Sequence, residues 1–299
     1  MVIEESTARA RELGGELKRV RERAKLSGHA LARSLGWPAP KISRLENGKR
    51  GVSEVDVAIY LARCGATPDE LERFIALAHV TDHGYRLQEH SAGMPDELRS
   101  LIVLETSADM IAGYEPFFIP GLLQTESYVR EMLKLGGRKP GRGFEMRVEA
   151  RLARQALFNR RWPPQLTFYI HEYALRSMVG DSVVMYEQAL HLVLATSWSR
   201  CEIRVVPESA QVMGVFGGGF HLMEYADHPA VVSVETHTAS AFLEGDEHIP
   251  FYRNLQNELG AVALNGGQSR DLLAELASEH ERVESTRDDR PGPRSSDLA

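Results

Sequence analysis

Cysteine is nearly absent. Cys64 and Cys201 are the two in 299 residues and stand in unrelated contexts, which excludes a disulfide framework and any zinc motif built on cysteine. No apolar run approaches the ~18 residues a membrane-spanning helix needs, so no membrane association is expected. The first fifteen residues, MVIEESTARARELGG, hold no apolar stretch of the kind a secretory signal requires. These absences point to a reduced, cytoplasmic protein. Positive charge is scarce overall, with a net charge of −7, but it is unevenly placed. Residues 1–51 hold 12 Lys and Arg against 6 Asp and Glu, a balance of +6, while the remainder holds 23 against 36, a balance of −13. A basic N-terminal segment on an acidic body suits a polyanionic partner for the first segment alone.

The chain is long enough for two domains and their cores. Residues 10–78 carry the signals of five short helices. Leu13, Leu17 and Val20 recur at helical spacing within a first helix over 9–25. Ser27 is placed to cap a second over 29–35, which Gly36 stops. A third spans 40–47 with Ile42 and Leu45 inward, and Gly48 ends it. Ser53 with Asp56 opens a fourth, and Thr67-Pro68-Asp69-Glu70 opens a fifth with a cap, a proline in the first turn and an acid at the third position. Residues 81–95 are polar and aperiodic and read as a linker. Helices are expected over 96–113, 125–135 and 145–161, then strands over 166–172, 202–207, 219–225 and 230–237, with a helix over 183–198 between the first two. Two helices, over 247–263 and 268–282, follow, and the tail 283–299 has nothing apolar to bury and reads as disordered. The fold class is thus multidomain: an all-α five-helix domain (1–80), then an α+β domain (96–282) of helices, a small sheet and C-terminal helices.

The string K-I-S-R-L-E-N-G-K-R at 41–50, after a helix and a glycine turn, resembles the recognition helix of Xre/lambda-repressor-type helix-turn-helix regulators. The resemblance implies a DNA-binding domain that usually acts as a homodimer on double-stranded DNA, its second motif helix in the major groove. Carried onto this sequence, Lys41, Ser43, Arg44 and Asn47 face solvent, Lys49 and Arg50 follow directly, and Arg33 on the preceding helix faces the backbone. An arginine such as Arg44 can donate twice to a guanine edge, whereas Lys41, Lys49 and Arg50 suit phosphates. Glu46 is expected to pair with a neighbouring arginine or with the first helix. The helix entry departs from the family: Trp37-Pro38-Ala39-Pro40 replaces a polar cap, so Ala39 is expected as the non-helical cap and Pro40 as the first helical residue.

The second half, with I-P-G-L-L-Q-T at 119–125, R-L-A-R-Q at 151–155, H-E-Y-A-L-R at 171–176, I-R-V-V-P at 203–207 and G-G-F-H-L-M-E-Y at 218–225, is similar to the C-terminal domain of actinobacterial Xre-family regulators described as antitoxin-like. That resemblance implies a regulator, often encoded beside a small acidic partner protein. Pro120-Gly121 reads more as a structural elbow than as a ligand loop. Arg147, Arg151 and Arg154 share one helical face, which would suit an acidic partner or ligand, though a solvated, ion-paired face is the simpler reading. Ser233, Glu235 and His237 are too extended along one strand for a catalytic triad, and no enzyme activity, metal or cofactor is expected. Two readings compete with a partner-controlled transcription factor: a small-molecule sensor, and an antitoxin-like protein that sequesters its partner and uses DNA binding for autoregulation.

Overall fold

The computed structural model describes residues 8–48, 53–78, 85–89, 96–237 and 239–288. In chain order it contains α1 (Ala8–Arg23), α2 (Gly28–Leu35), α3 (Ala39–Glu46), α4 (Glu54–Arg63), α5 (Pro68–Ala78), β1 (Tyr85–Glu89), α6 (Asp96–Ser107) and β2 (Met110–Glu115). There follow α7 (Glu126–Leu135), α8 (Arg142–Ala153), a 3-10 segment (Arg154–Asn159), β3 (Gln165–His171), α9 (Glu172–Arg176), α10 (Ser182–Ala195) and β4 (Cys201–Val206). The chain continues through α11 (Met213–Phe216), β5 (Phe220–Glu224), β6 (Val231–Glu235), β7 (Ala239–Leu243), α12 (Ile249–Val262) and α13 (Gly266–Asp288). Among the described residues, no helix is long and apolar enough to cross a membrane. The architecture is an N-terminal helical helix-turn-helix region, then a mixed sheet with helices, then C-terminal helices.

The described residues fall into two compact units, one from Met1–Ile111 with Phe220–Asn254, the other from Ala112–Gly219 with Leu255–Ala299. The first holds the five-helix bundle and the antiparallel strands. Leu13, Leu17, Val20, Leu31, Ala32, Ile42, Leu45, Val57, Tyr60, Leu61 and Phe74 form one buried cluster at the centre of the bundle. Each helix contributes the apolar stripe that its spacing dictates. In the same unit β1, β7, β6 and β5 lie side by side, all antiparallel, with Tyr85 opposite Leu243, Val232 opposite Leu243 and Phe220 opposite Val234. In the second unit β3 and β4 are parallel, Leu166 opposite Cys201, and joined by a crossover through α9 and α10. Parallel neighbours need such a crossover because a tight turn cannot reverse the chain twice.

Three expectations give way here. The helix anticipated over 96–113 ends at Ser107, and β2 begins at Met110. Asp109 makes the break: its N–H donates to the Glu224 carbonyl (2.9 Å), and its carboxylate accepts from the Ala226 N–H (2.6 Å). The continuous apolar text on either side had no period with which to announce it. The linker assigned to 81–95 contains β1, held by pairing with β7, while 81–84 and 90–95 lie outside the described residues. The tail assigned to 283–299 begins inside α13, which runs to Asp288; 289–299 lie outside the described residues.

The bundle is also fastened to the rest of its unit. The Ser100 hydroxyl of α6 donates to the Glu12 carboxylate of α1 at 2.6 Å, and the Arg11 guanidinium lies 4.6 Å from the centroid of the Tyr225 ring. Arg11 and Glu12 are only 5% and 4% exposed, so two charged residues of α1 lie inside. Burial of charge at this level requires partners: Ser100 of α6 meets the Glu12 carboxylate, and the ring of Tyr225, the residue after β5, faces the Arg11 guanidinium.

Candidate nucleic-acid interface

The α2–turn–α3 unit is built by local chemistry. The Ser27 hydroxyl accepts from the Ala30 N–H (3.1 Å), capping α2. Gly36 ends it at φ +64°, a left-handed conformation that glycine adopts without steric cost. The Trp37 N–H then returns to the Ala32 carbonyl (2.9 Å), closing the turn. α3 starts one residue earlier than expected: Pro38 is the extended cap residue, Ala39 is helical and Pro40 occupies the second position. Steric pressure from a following proline disfavours a helical residue without forbidding it. Pro38, itself unable to continue inward, takes the cap role at φ −61° and ψ 136°, and no side chain bonds the first turn.

Ile42 and Leu45 are buried, and Arg33, Ser43, Arg44 and Asn47 are exposed. Ser43 and Asn47 lie one turn apart and are joined by a 3.1 Å bond from the Asn47 amide to the Ser43 hydroxyl. Among the described residues, Arg33 and Arg44 have no ion-pair partner, in contrast to Arg19, Arg21, Arg23 and Arg73 of the same bundle. Lys41 differs from its expected role. Its ammonium is 2.7 Å from Asp56 of α4 and 4.1 Å from the centroid of the Trp37 ring. It clamps α3 to α4 and to the turn instead of standing open for a phosphate. The clamp holds the Asp56 carboxyl below its usual range, chiefly through the Lys41 hydrogen bond. Lys49 and Arg50 lie outside the described residues.

The inner side of α3 is anchored by a charged site that the sequence only hinted at. Glu46 accepts from Arg21 Nε (2.6 Å) and Nη2 (2.8 Å), both from α1, and from the Tyr60 hydroxyl of α4 (2.6 Å). Its expected pairing with an arginine of the first helix is what the structure shows. Burial, followed by the neighbouring carboxylate, pushes the Tyr60 phenol well above its ordinary value, so Tyr60 stays a donor. Two glycines let α1 press on the end of α3. A Cβ at Gly14 would stand 2.5 Å from the Glu46 carbonyl oxygen, and one at Gly48, whose φ is +62°, would stand 2.3 Å from backbone of Ala10. The signals for this joint were an acid on an otherwise cationic helix and a Gly-Gly pair inside a helical pattern; Tyr60 as a partner of Glu46, and Asp56 as the partner of Lys41, were missed.

The arginines singled out in the second half do not form an open face. Arg154 belongs to the 3-10 segment rather than to α8, and Arg147 and Arg154 are 8% and 7% exposed. Arg147, Arg151 and Arg154 all have interaction partners. The Arg154 guanidinium occupies the space above Gly121, 3.0 Å from where a Cβ would sit. Around it the family-marking text folds into an elbow. Gln124 Nε2 donates to the Ile119 carbonyl (2.8 Å) and Gln155 Nε2 to the Gln124 carbonyl (2.6 Å). Gln188 of α10 grips both sides of the loop, accepting from the Thr125 N–H and donating to the Leu123 carbonyl, each at 2.8 Å. The structural reading of Pro120-Gly121 accounts for these contacts.

Residues 12–74 match the model of a helix-turn-helix domain, and residues 98–275 match that of a domain of unknown function, DUF5753. No curated protein matches the chain. The first match coincides with the bundle whose α3 face has just been described, and the second covers more than half of the chain. The protein is therefore a member of the DUF5753 family that carries an N-terminal helix-turn-helix domain, the module of DNA-binding regulators.

Proposed function

We propose that this protein is a sequence-specific transcriptional regulator of the Xre type that binds double-stranded DNA as a homodimer, α3 lying in the major groove, with the DUF5753 portion receiving an effector or a small partner protein. The carrying observation is the division of labour on α3. One side is tied to α1 and α4 through Glu46, Lys41, Ile42 and Leu45, while Ser43, Arg44 and Asn47 remain outside, with Arg33 exposed on α2. A rigidly seated short helix with an uncompensated guanidinium outward is what edge recognition needs, because positioning is completed before the base is met. Arg44 takes the base-reading role, Ser43 and Asn47 supply the adjacent polar edge, and Arg33, Lys49 and Arg50 serve phosphates. Lys41 is withdrawn from that set. Dimerisation follows from the few base pairs one helix can reach: useful affinity takes two half-sites about one DNA turn apart.

The test is selection of bound sequences from a random duplex library by the full chain, repeated with Arg44→Ala. The expected result is an inverted-repeat site in which the variant loses preference at one base pair of each half-site, a discrimination of ~1–3 kcal/mol. Uniform weakening across all sequences, or no enrichment at all, refutes the assignment.

A further inference from the structure

In the second unit α7 and α8 form a helical hairpin whose tip, residues 136–143, reads Gly-Gly-Arg-Lys-Pro-Gly-Arg-Gly and is exposed throughout. Its base is firm. Val129 and Leu133 of α7 pack with Phe144 and Val148 of α8. Arg130 donates to both oxygens of Glu145, at 2.9 and 2.8 Å, and also bonds Glu126. α7 ends in a closed turn: the Arg138 N–H donates to the Leu133 carbonyl (3.0 Å) and the Gly137 N–H to the Lys134 carbonyl (2.9 Å), with Gly137 at φ +75°. The charges below the tip are matched, Arg130 by Glu126 and Glu145, Lys134 by Glu131. Those at the tip are not. Among the described residues, Arg138, Lys139 and Arg142 have no ion-pair partner, and no acid stands between Glu131 and Glu145 in the sequence. Three uncompensated cations in five residues thus sit in the part of the chain, beyond residue 51, whose balance is −13.

Stability does not account for this composition. Arg142 is the first residue of α8, where the helix dipole disfavours a cation. Gly143 follows inside the first turn, where glycine is a poor helix former, although a Cβ there would meet nothing within 4 Å. A row of like charges repels itself in the free protein, and a polyanion relieves that repulsion. Residues 136–143 hold no aromatic ring to stack on an unpaired base and no large apolar side chain to anchor a protein interface. Phosphates of a duplex need neither, only charge. We infer that the α7–α8 tip is a second DNA-contacting surface, in which Arg138, Lys139 and Arg142 bind phosphates of duplex DNA. It rests on the reading of the chain as a DNA-binding regulator and extends that role into the DUF5753 portion. Phosphate contacts tighten and position without specifying sequence. The tip therefore strengthens binding to operator and random duplex alike, and discrimination stays with α3.

The experiment measures duplex binding by the full chain, by fluorescence anisotropy, from ~50 to ~200 mM salt, on a duplex from the selection above and on one of random sequence. The variant is Arg138→Gln with Lys139→Gln and Arg142→Gln, all at exposed positions. Each lost phosphate contact lowers the logarithmic salt slope by about 0.9, so three lower it by about 2.7. Over that salt range the parent then loses about fortyfold more affinity than the variant, on both duplexes. Arg138→Lys with Arg142→Lys keeps the parent slope, because charge alone is required. A variant of equal charge change elsewhere in the unit, Arg161→Gln with Arg200→Asn and Arg270→Gln, also keeps it. The inference is overturned if the tip variant lowers the slope by less than about 0.9, the value of one contact, or if the second variant lowers it equally. It is overturned too if the tip variant keeps the parent slope on DNA but loses retention of polyglutamate, which would assign the tip to an acidic protein. Absence of any selected sequence, with the slope difference intact on random duplex, removes the reading role of α3 and leaves the tip; the converse result leaves α3 and removes the tip.

Discussion

Replacing Glu46 by alanine tests whether the reading helix is seated by the charged joint on its inner side. The carboxylate accepts three short bonds, two from Arg21 and one from Tyr60, and both its own and the Arg21 side chain are about a tenth exposed. Removing one member of a buried ion pair costs ~3–5 kcal/mol, because the other charge remains inside uncompensated. Arg21 keeps a bond to the Leu26 carbonyl (2.8 Å) and lies 3.9 Å from Glu22, so the loss belongs at the lower end, about 3 kcal/mol on the same scale. With a urea slope of roughly 2 kcal/mol/M, the midpoint falls by about 1.5 M. The assay is urea unfolding of the full chain followed by Trp37 fluorescence in a Trp162→Phe, Trp198→Phe background, which confines the signal to the bundle. Glu46→Leu combined with Arg21→Met removes both charges and restores most of the stability, as apolar replacement of a buried pair commonly does. A cost below about 1 kcal/mol for Glu46→Ala, the size of an exposed pair, refutes the seating argument, as does a double variant no more stable than the single one.

Lys41→Met separates clamp from phosphate contact. Loss of a partly exposed ion pair costs about 1 kcal/mol or less, whereas the salt dependence of DNA binding stays unchanged, since a side chain already paired with Asp56 releases no counterion. Lys49→Ala, by contrast, is expected to reduce the logarithmic salt slope by about 0.9; equal slopes for the two variants contradict the division. Acid sensitivity of the bundle follows from Glu70. The Arg23 guanidinium, 2.7 Å away, and then the Thr67 N–H hold its carboxyl down at about 2, against an ordinary value of 4.5. A depressed carboxyl stabilises fully above its unfolded value, and that contribution is lost as pH falls from about 4.5 through about 2. The urea midpoint therefore declines over that window, and Glu70→Gln flattens the decline; an unchanged slope in the variant rules out this source.

The bundle was legible because its determinants are local. Ser27, Gly36, Ser53 and the Thr67–Glu70 pair act within four residues, and all four do in space what their spacing indicates: the Thr67 N–H donates to Glu70 Oε2 and the Glu70 N–H to Thr67 Oγ1. The exposed set on α3 was legible for the same reason, since burial of Ile42 and Leu45 dictates which neighbours turn outward. The contacts Lys41 makes were not legible, because Asp56 lies on another helix and the Trp37 ring in the turn, neither marked by period. The strands β1, β2 and β7 were missed because a strand of five or six residues has its reason in the neighbour it pairs with. Tyr85–Glu89 is half charged or polar, yet its backbone ladder on β7 is complete from Tyr85 to Glu89. Arg147 and Arg154 show the converse failure: spacing put both on one helical face, but it cannot say that α8 ends before Arg154, that both side chains are buried, or that the Arg154 guanidinium fills the space above Gly121.

α1 is the element on which these observations converge. The core face of this helix carries Leu13, Leu17 and Val20 into the bundle, and Gly14 and Arg21 bring it against the end of α3. A second face sends Glu12 to Ser100 and Arg11 to Tyr225, and a Cβ added at Gly15 would stand 3.3 Å from the Val103 side chain of α6. A helix amphipathic to one side would have left those charges in water and the bundle a freely tethered head. With both faces occupied, rotating α1 enough to break either contact set disturbs the other, since a packed helix repositions as a rigid body. The orientation of Arg44 is thus determined by side chains on both sides of α1, including some that never approach the reading face.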